Sequence, residues 1–150
     1  MIQKFIENEE AQLEFGNKLS SFISDKILIF LEGGLGAGKT TLTRGLIRGK
    51  GFHGNVKSPT YTLIEPYKIE GIDIYHIDLY RVNDINELEY LGIRDILSET
   101  SIVIIEWPQI GKNWLPEPDL LIQIDKKDNG RLINLTSSTK RGKNILDSYF

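Results

Sequence analysis

Gly33-Gly34-Leu35-Gly36-Ala37-Gly38-Lys39-Thr40 follows the pattern G-x-x-x-x-G-K-[S/T] and decides the fold. Glycines and one alanine leave the backbone N–H groups uncovered, so a polyphosphate can approach them. Lys39 brings a cation to its β- and γ-phosphates, and the Thr40 hydroxyl suits a Mg²⁺ ion. A helix opening at this point turns its positive end toward the same anion. Working outward, Lys26-Ile27-Leu28-Ile29-Phe30-Leu31 is a short apolar run that reads as a buried strand entering the loop. From Thr41 to Lys50, Leu42, Leu46 and Ile47 recur at helical spacing, and Gly49 and Gly51 offer a stop. Strand, loop and helix follow in the order that phosphate binding requires.

The rest of the chain extends this unit into one α/β domain over residues 1–150. Residues 1 to 6 suit an edge strand, and Asn8 or Glu9 opens a helix to about Phe22. Gly51 to Pro66 is a polar stretch centred on Ser58-Pro59-Thr60-Tyr61-Thr62. Tyr61 to Tyr67 and Ile72 to Ile77 suggest strands paired about Glu70-Gly71. Asn83-Asp84 is positioned to cap a helix ending at Leu91-Gly92, with a further helical turn from Ile93 to Leu97. Ile102-Val103-Ile104-Ile105 has four β-branched residues without alternation, the pattern of a central strand covered on both faces. Pro116-Glu117-Pro118 is a connector. Leu120 to Lys126 and Arg131 to Thr136 form a hairpin about Asp128-Asn129-Gly130. The tail from Lys140 carries little signal beyond a loose helix. The expected architecture is a three-layer P-loop NTPase with a mixed sheet, its centre parallel and its additions antiparallel.

Composition narrows the function. The 150 residues carry a net charge of −3, which argues against a dedicated nucleic-acid binder. Arg44, Arg48 and Lys50, and Lys140, Arg141 and Lys143, read as solvated surface charge. No cysteine is present, so thiolate metal sites and disulfides are excluded. The N-terminus lacks the layout of a signal peptide and no apolar run suits a membrane, which points to the cytoplasm.

Hydrolysis of a bound nucleotide needs an acidic residue at the end of a buried strand. Glu106, after Ile102 to Ile105, fits as metal ligand or water-positioning group, and Asp78, after Ile72 to Ile77, is the second candidate. Thr60 lies where nucleotide-sensing segments occur, although turn chemistry from Ser58-Pro59 explains it equally. Arg81 suits either a phosphate contact or, more simply, a salt bridge. His76 and His53 have no metal-binding spacing. Trp107 suits packing, or a nucleotide or partner contact beside Glu106.

Several of these blocks together resemble the TsaE (YjeE) family of bacterial ATPases. They are Gly36-Ala37-Gly38-Lys39-Thr40-Thr41, Gly54 to Leu63 with its Ser58-Pro59-Thr60-Tyr61, His76-Ile77-Asp78-Leu79-Tyr80-Arg81, Glu87-Leu88-Glu89 with Gly92-Ile93, and Glu106-Trp107-Pro108. They span about Ile27 to Asp125. Gly34 departs from the family, which often has an acidic residue there. The resemblance implies an Mg²⁺-dependent protein that binds ATP and ADP and hydrolyses ATP slowly. It implies stimulation by the partners TsaB and TsaD, in threonylcarbamoylation of adenosine 37 in tRNAs reading ANN codons, with tRNA met only through that complex. It carries phosphate binding to Gly33 and to Leu35, Gly36, Ala37, Gly38, Lys39, Thr40 and Thr41, Mg²⁺ to Thr40 and Glu106, a necessary role to Asp78, and an adenine border to the neighbourhood of Asn8. Lys39, Thr60, Asp78 and Glu106 are the expected catalytic set. Rival readings are a small-molecule kinase, for which no arginine-rich lid is visible, and a nucleotide-gated binding module. A GTPase lacks its base-reading motif, because Asn17-Lys18 is followed by Leu19-Ser20.

Overall fold

Strand β2 (Ile27–Gly33) runs between β5 (Ile102–Glu106) and β6 (Leu120–Lys127), parallel to both, in a computed structural model that describes all residues from Met1 to Phe150. On the far side of β5 lies β4 (Ile72–Asp78), also parallel. Three antiparallel strands complete the sheet: β1 (Ile2–Ile6), β7 (Gly130–Ser137) and β3 (Ile64–Ile69). The order is β1-β7-β6-β2-β5-β4-β3, a parallel centre with antiparallel flanks, as expected. All five residues of β5 are buried, which explains their lack of alternation.

Helices α1 (Glu9–Ser20), α2 (Lys39–Gly49) and α5 (Lys140–Tyr149) cover one face. Phe15, Leu19, Leu42, Leu46, Ile145 and Tyr149 meet Ile27, Ile29, Leu31, Ile104 and Ile122 there in the larger core. Helices α3 (Glu87–Tyr90) and α4 (Ile93–Ser98) cover the other face, where Leu88 and Ile93 meet Ile77, Val103 and Ile105. α1 and α2 cross in close backbone contact, because a methyl group on Gly16 would strike the Leu42 carbonyl and one on Gly45 that of Leu13. No helix is long and apolar enough to cross a membrane.

Several expected boundaries move for local reasons. β2 continues through Gly33, and α2 begins at Lys39 rather than Thr41. Tyr61 to Leu63 is not strand. Leu63 adopts φ 70°, its N–H donates to the Pro59 carbonyl at 2.7 Å, and Tyr61 is exposed, so the chain folds into a tight turn before β3. Asp84 does not open a helix, because its carboxylate accepts the Asn86 N–H at 2.9 Å and closes a turn, delaying α3 to Glu87. The tail is a formed helix. The Thr139 side chain caps it by accepting the Gly142 N–H, and Thr139 itself donates to Asp119 at 2.6 Å. Lys50 leaves the expected surface patch to donate its ammonium to the Ile23 carbonyl, and Arg141 pairs with Asp119 at 3.7 Å.

Candidate nucleotide site at the carboxyl ends of the parallel strands

The loop between β2 and α2 turns on two glycines in the left-handed region, Gly36 at φ 76° and Gly38 at φ 98°. Side chains are disfavoured at such angles, and a Cβ at Gly38 would also collide with Gln12. Two elements brace the loop. Gln12 of α1 donates to the Gly38 carbonyl at 2.8 Å, and Arg131 of β7 donates to Ala37 and Gly36 carbonyls at 3.0 and 3.1 Å. The Ala37 N–H donates to the Gly34 carbonyl at 3.2 Å, and with the Gly36, Ala37 and Gly38 carbonyls engaged by side chains the remaining loop N–H groups are left for the cavity.

That cavity is about 540 Å³, within the range of small-molecule sites. Parallel register explains what it contains. Leu31 pairs with Glu106, and Glu106 with Asp78, so both strand-ending carboxylates stand at one level beside the loop. The turn between β1 and α1 supplies Asn8, and the β6–β7 hairpin supplies Asn129 to Arg131. Asn8, Leu35, Gly36, Ala37, Gly38, Lys39, Thr40, Thr41, Thr60, Asp78 and Glu106 therefore all line one space. Gly33 does not line it; its carbonyl instead accepts the Lys39 ammonium at 2.7 Å. Asn8 caps α1 by accepting the Ala11 N–H at 2.8 Å.

Lys39 Nζ lies 3.9 Å from Glu106 Oε1 and 4.0 Å from the centre of the Trp107 ring. Burial lowers the Lys39 pKa, opposed by the nearby charges of Glu106 and Asp78. Trp107 holds φ 57°, a costly conformation for a large side chain, and Pro108 starts a short 3-10 turn after it. Trp107 takes the packing role: it is partly buried against the second core, its ring centre is 4.8 Å from that of Tyr80, and it makes a cation–π contact with Lys39.

Asp78 is held by the Tyr80 N–H at 2.8 Å and the Thr60 hydroxyl at 3.2 Å, with Ser58 and Thr60 hydroxyls 2.8 Å apart. Thr60 thus takes part in the turn chemistry and also lines the cavity. Arg81 makes neither expected contact: its guanidinium lies 4.3 Å from the Tyr61 ring centre, outside the cavity and without a carboxylate partner. His76 is fully buried against Glu106, Nε2 to Oε2 2.6 Å, while His53 is exposed elsewhere. Sequence reasoning missed this contact, although residue 76 lies on the same face of β4 as residue 78. It also missed Gln12 and Arg131, which reach the loop only through tertiary packing.

Burial raises the Asp78 pKa above 3.8; the Tyr80 N–H opposes the shift and the Glu106 charge adds to it. A carboxyl with a raised folded-state pKa weakens folding once ionised. The weakening begins as pH rises past the ordinary value and is complete above the raised one. Asp78→Asn is therefore expected to raise the melting temperature at pH 8, with the difference closing as pH falls toward 3.8, in calorimetric scans across pH.

The nearly buried Asp78 and Glu106 carboxylates and the half-buried Thr40 hydroxyl are oxygen groups of this cavity that could hold Mg²⁺. This cation takes one or two carboxylates and completes its shell with phosphate oxygens and water.

The family model "Threonylcarbamoyl adenosine biosynthesis protein TsaE" matches residues 6–133. The Haemophilus influenzae protein named "tRNA threonylcarbamoyladenosine biosynthesis protein TsaE" is 48% identical, covering 99% of this chain and 97% of its own. The Bacillus subtilis protein of the same name is 34% identical over 89% of this chain and 84% of its own. The crystal structure of Bacillus subtilis YdiB superposes with a TM-score of 0.85 at 27% identity, covering 99% of this chain and 93% of that one. A family match running from the end of β1 into β7, and a relative nearly half identical along almost the entire chain, establish that this protein belongs to the TsaE family, named for threonylcarbamoyladenosine biosynthesis in tRNA.

Proposed function

We propose that this protein binds ATP and ADP with Mg²⁺ in the cavity beside Lys39 and hydrolyses ATP slowly by itself. Turnover rises when it joins TsaB and TsaD in the cytoplasm for threonylcarbamoylation of adenosine 37 in tRNAs reading ANN codons. The observation that carries this reading is the level pairing of Asp78 and Glu106 beside the phosphate loop.

The loop N–H groups and the start of α2 bind the phosphates, and Lys39 leaves its Gly33 carbonyl to reach the β- and γ-oxygens. Thr40 and Glu106 would hold Mg²⁺, which would supply charge neutralisation to the bound phosphates. Asp78, tied through Thr60 to the segment around Ser58, orients the attacking water and couples it to that segment's position. The turn at Asn8 borders the base.

Slow turnover follows from the supply of cations. Arg131 reaches the cavity wall, but its guanidinium is engaged by loop carbonyls, which leaves Lys39 as the ammonium beside the carboxylates. Transition-state charge on a transferring phosphoryl group needs more, and a partner can provide or order it. A pull-down with TsaB and TsaD in ATP and Mg²⁺, followed by ADP release from the eluted complex, tests this. Capture of both proteins and a turnover gain of about tenfold or more are expected. No capture, or turnover equal to that of the free chain, would contradict the reading.

A further inference from the structure

The two carboxylates of the cavity are held by separate networks. Asp78 is held from the loop side, by Thr60 and by the backbone of Tyr80. Glu106 is held from the core side: His76 Nε2 meets Oε2 at 2.6 Å, while Oε1 turns toward Lys39. His76 has no exposed surface, and its Nδ1 has no hydrogen-bond partner. A carboxylate oxygen only accepts, and a hydrogen on Nδ1 would be a buried, unsatisfied donor. The ring hydrogen therefore sits on Nε2 and points at Glu106. His76 is carried by β4 between β3 and the central β5, and it packs two residues below the carboxylates on the same face, where Ile104 pairs with it. A side chain enclosed this way has one position, and so does the oxygen it holds.

We propose that His76 is a positioning residue for Glu106. Its Nε2–H fixes one carboxylate oxygen against the core, so that the other is presented to the cavity in a single orientation before nucleotide arrives. This deepens the proposed function and rests on Glu106 as a Mg²⁺-holding group. It also divides labour between the carboxylates. Both carboxylates end strands of the sheet, but Asp78 is tied through Thr60 to the turn from Ser58 to Leu63 and through the Tyr80 N–H to the chain just after β4, whereas the partners of Glu106 lie in β4 and α2.

Two full-length variants separate positioning from packing. His76→Phe keeps a ring and removes the donor; His76→Gln keeps a donor nitrogen at similar reach. ATP binding is measured calorimetrically in EDTA and across a Mg²⁺ titration, and turnover across the same titration. His76→Phe is expected to bind ATP in EDTA within about twofold of the parent chain but to need about tenfold or more Mg²⁺ for half-maximal effect, with most of the loss recovered in His76→Gln. A His76→Phe chain with the parent's Mg²⁺ dependence, or a His76→Gln chain as impaired as His76→Phe, overturns the proposal. Long-range ¹H–¹⁵N correlation on the unsubstituted chain needs no variant to fold. Hydrogen on Nε2 is expected, and hydrogen on Nδ1 with a bare Nε2 overturns the proposal. A parent chain that binds no ATP overturns the functional reading and this role of His76 with it. That result is distinguishable, because it leaves the imidazole tautomer as predicted.

Discussion

Lys39→Ala is expected to lower affinity for ATP by about two orders of magnitude, a loss of ~3 kcal/mol, measured by titration calorimetry. Lys39 has the first backbone N–H after the loop and the ammonium nearest the cavity carboxylates. Its present contacts are ones a ligand can replace: one carbonyl at 2.7 Å, an ion pair stretched to 3.9 Å and an aromatic face. Burial already disfavours its charge, so a polyphosphate gains an ammonium that is poorly hydrated and easily transferred. Alanine removes this cation and leaves Asp78 and Glu106 facing incoming phosphates unshielded, which compounds the loss. Circular dichroism should show the fold retained, because the N–H groups of the loop and the crossing of α1 with α2 do not depend on that side chain. Unchanged ATP affinity in a folded Lys39→Ala chain would remove the phosphate-loop assignment.

Glu106→Gln is expected to lower kcat by about a hundredfold or more while changing ATP affinity in EDTA by less than about tenfold. The substitution keeps an oxygen that can accept from His76, so the side chain stays in place and only its charge leaves. In EDTA the loss of negative charge beside the phosphates is neutral or mildly favourable for binding. With Mg²⁺ the variant lacks its buried anionic ligand, and the metal-dependent gain in affinity should shrink. Asp78→Ala should likewise spare binding better than turnover, since Asp78 lies beside the phosphate loop and is tied to Thr60. Single-turnover measurements with both variants separate the two effects. A Glu106→Gln chain with parental kcat would exclude this carboxylate from catalysis.

The parts of the fold legible in the sequence were those with a local cause. The phosphate loop declares itself through glycines that the backbone angles require, and β5 through four β-branched residues without alternation. Glu106 followed from β5, because a parallel central strand ends where ligands bind. Asp78 was legible as a strand end, but its level pairing with Glu106 is a matter of register, which neither strand's own residues dictate. The same holds for Arg131 and Gln12. Their guanidinium and amide reach the loop because β7 and α1 pack beside it, and nothing at positions 131 or 12 marks that destination. His76 was within reach of inspection, two residues before Asp78 on one strand, but a lone histidine on an apolar strand gives no hint of what stands across from it. Tyr61 to Leu63 misled because aromatic and β-branched residues suggest strand, whereas Pro59 and the turn it anchors decide the backbone there. The C-terminal helix was faint because its apolar residues are few; its Thr139 cap and the contacts of Ile145, Leu146 and Tyr149 form it.

Mg²⁺-dependent turnover at this cavity is tested most directly by ADP release from the purified chain in ATP with Mg²⁺, beside the same sample with EDTA in excess. Slow but steady ADP release with Mg²⁺, abolished by EDTA and absent in Glu106→Gln, is the expected result. ADP release that is equal with and without Mg²⁺, or that survives in Glu106→Gln at the parental rate, would contradict it.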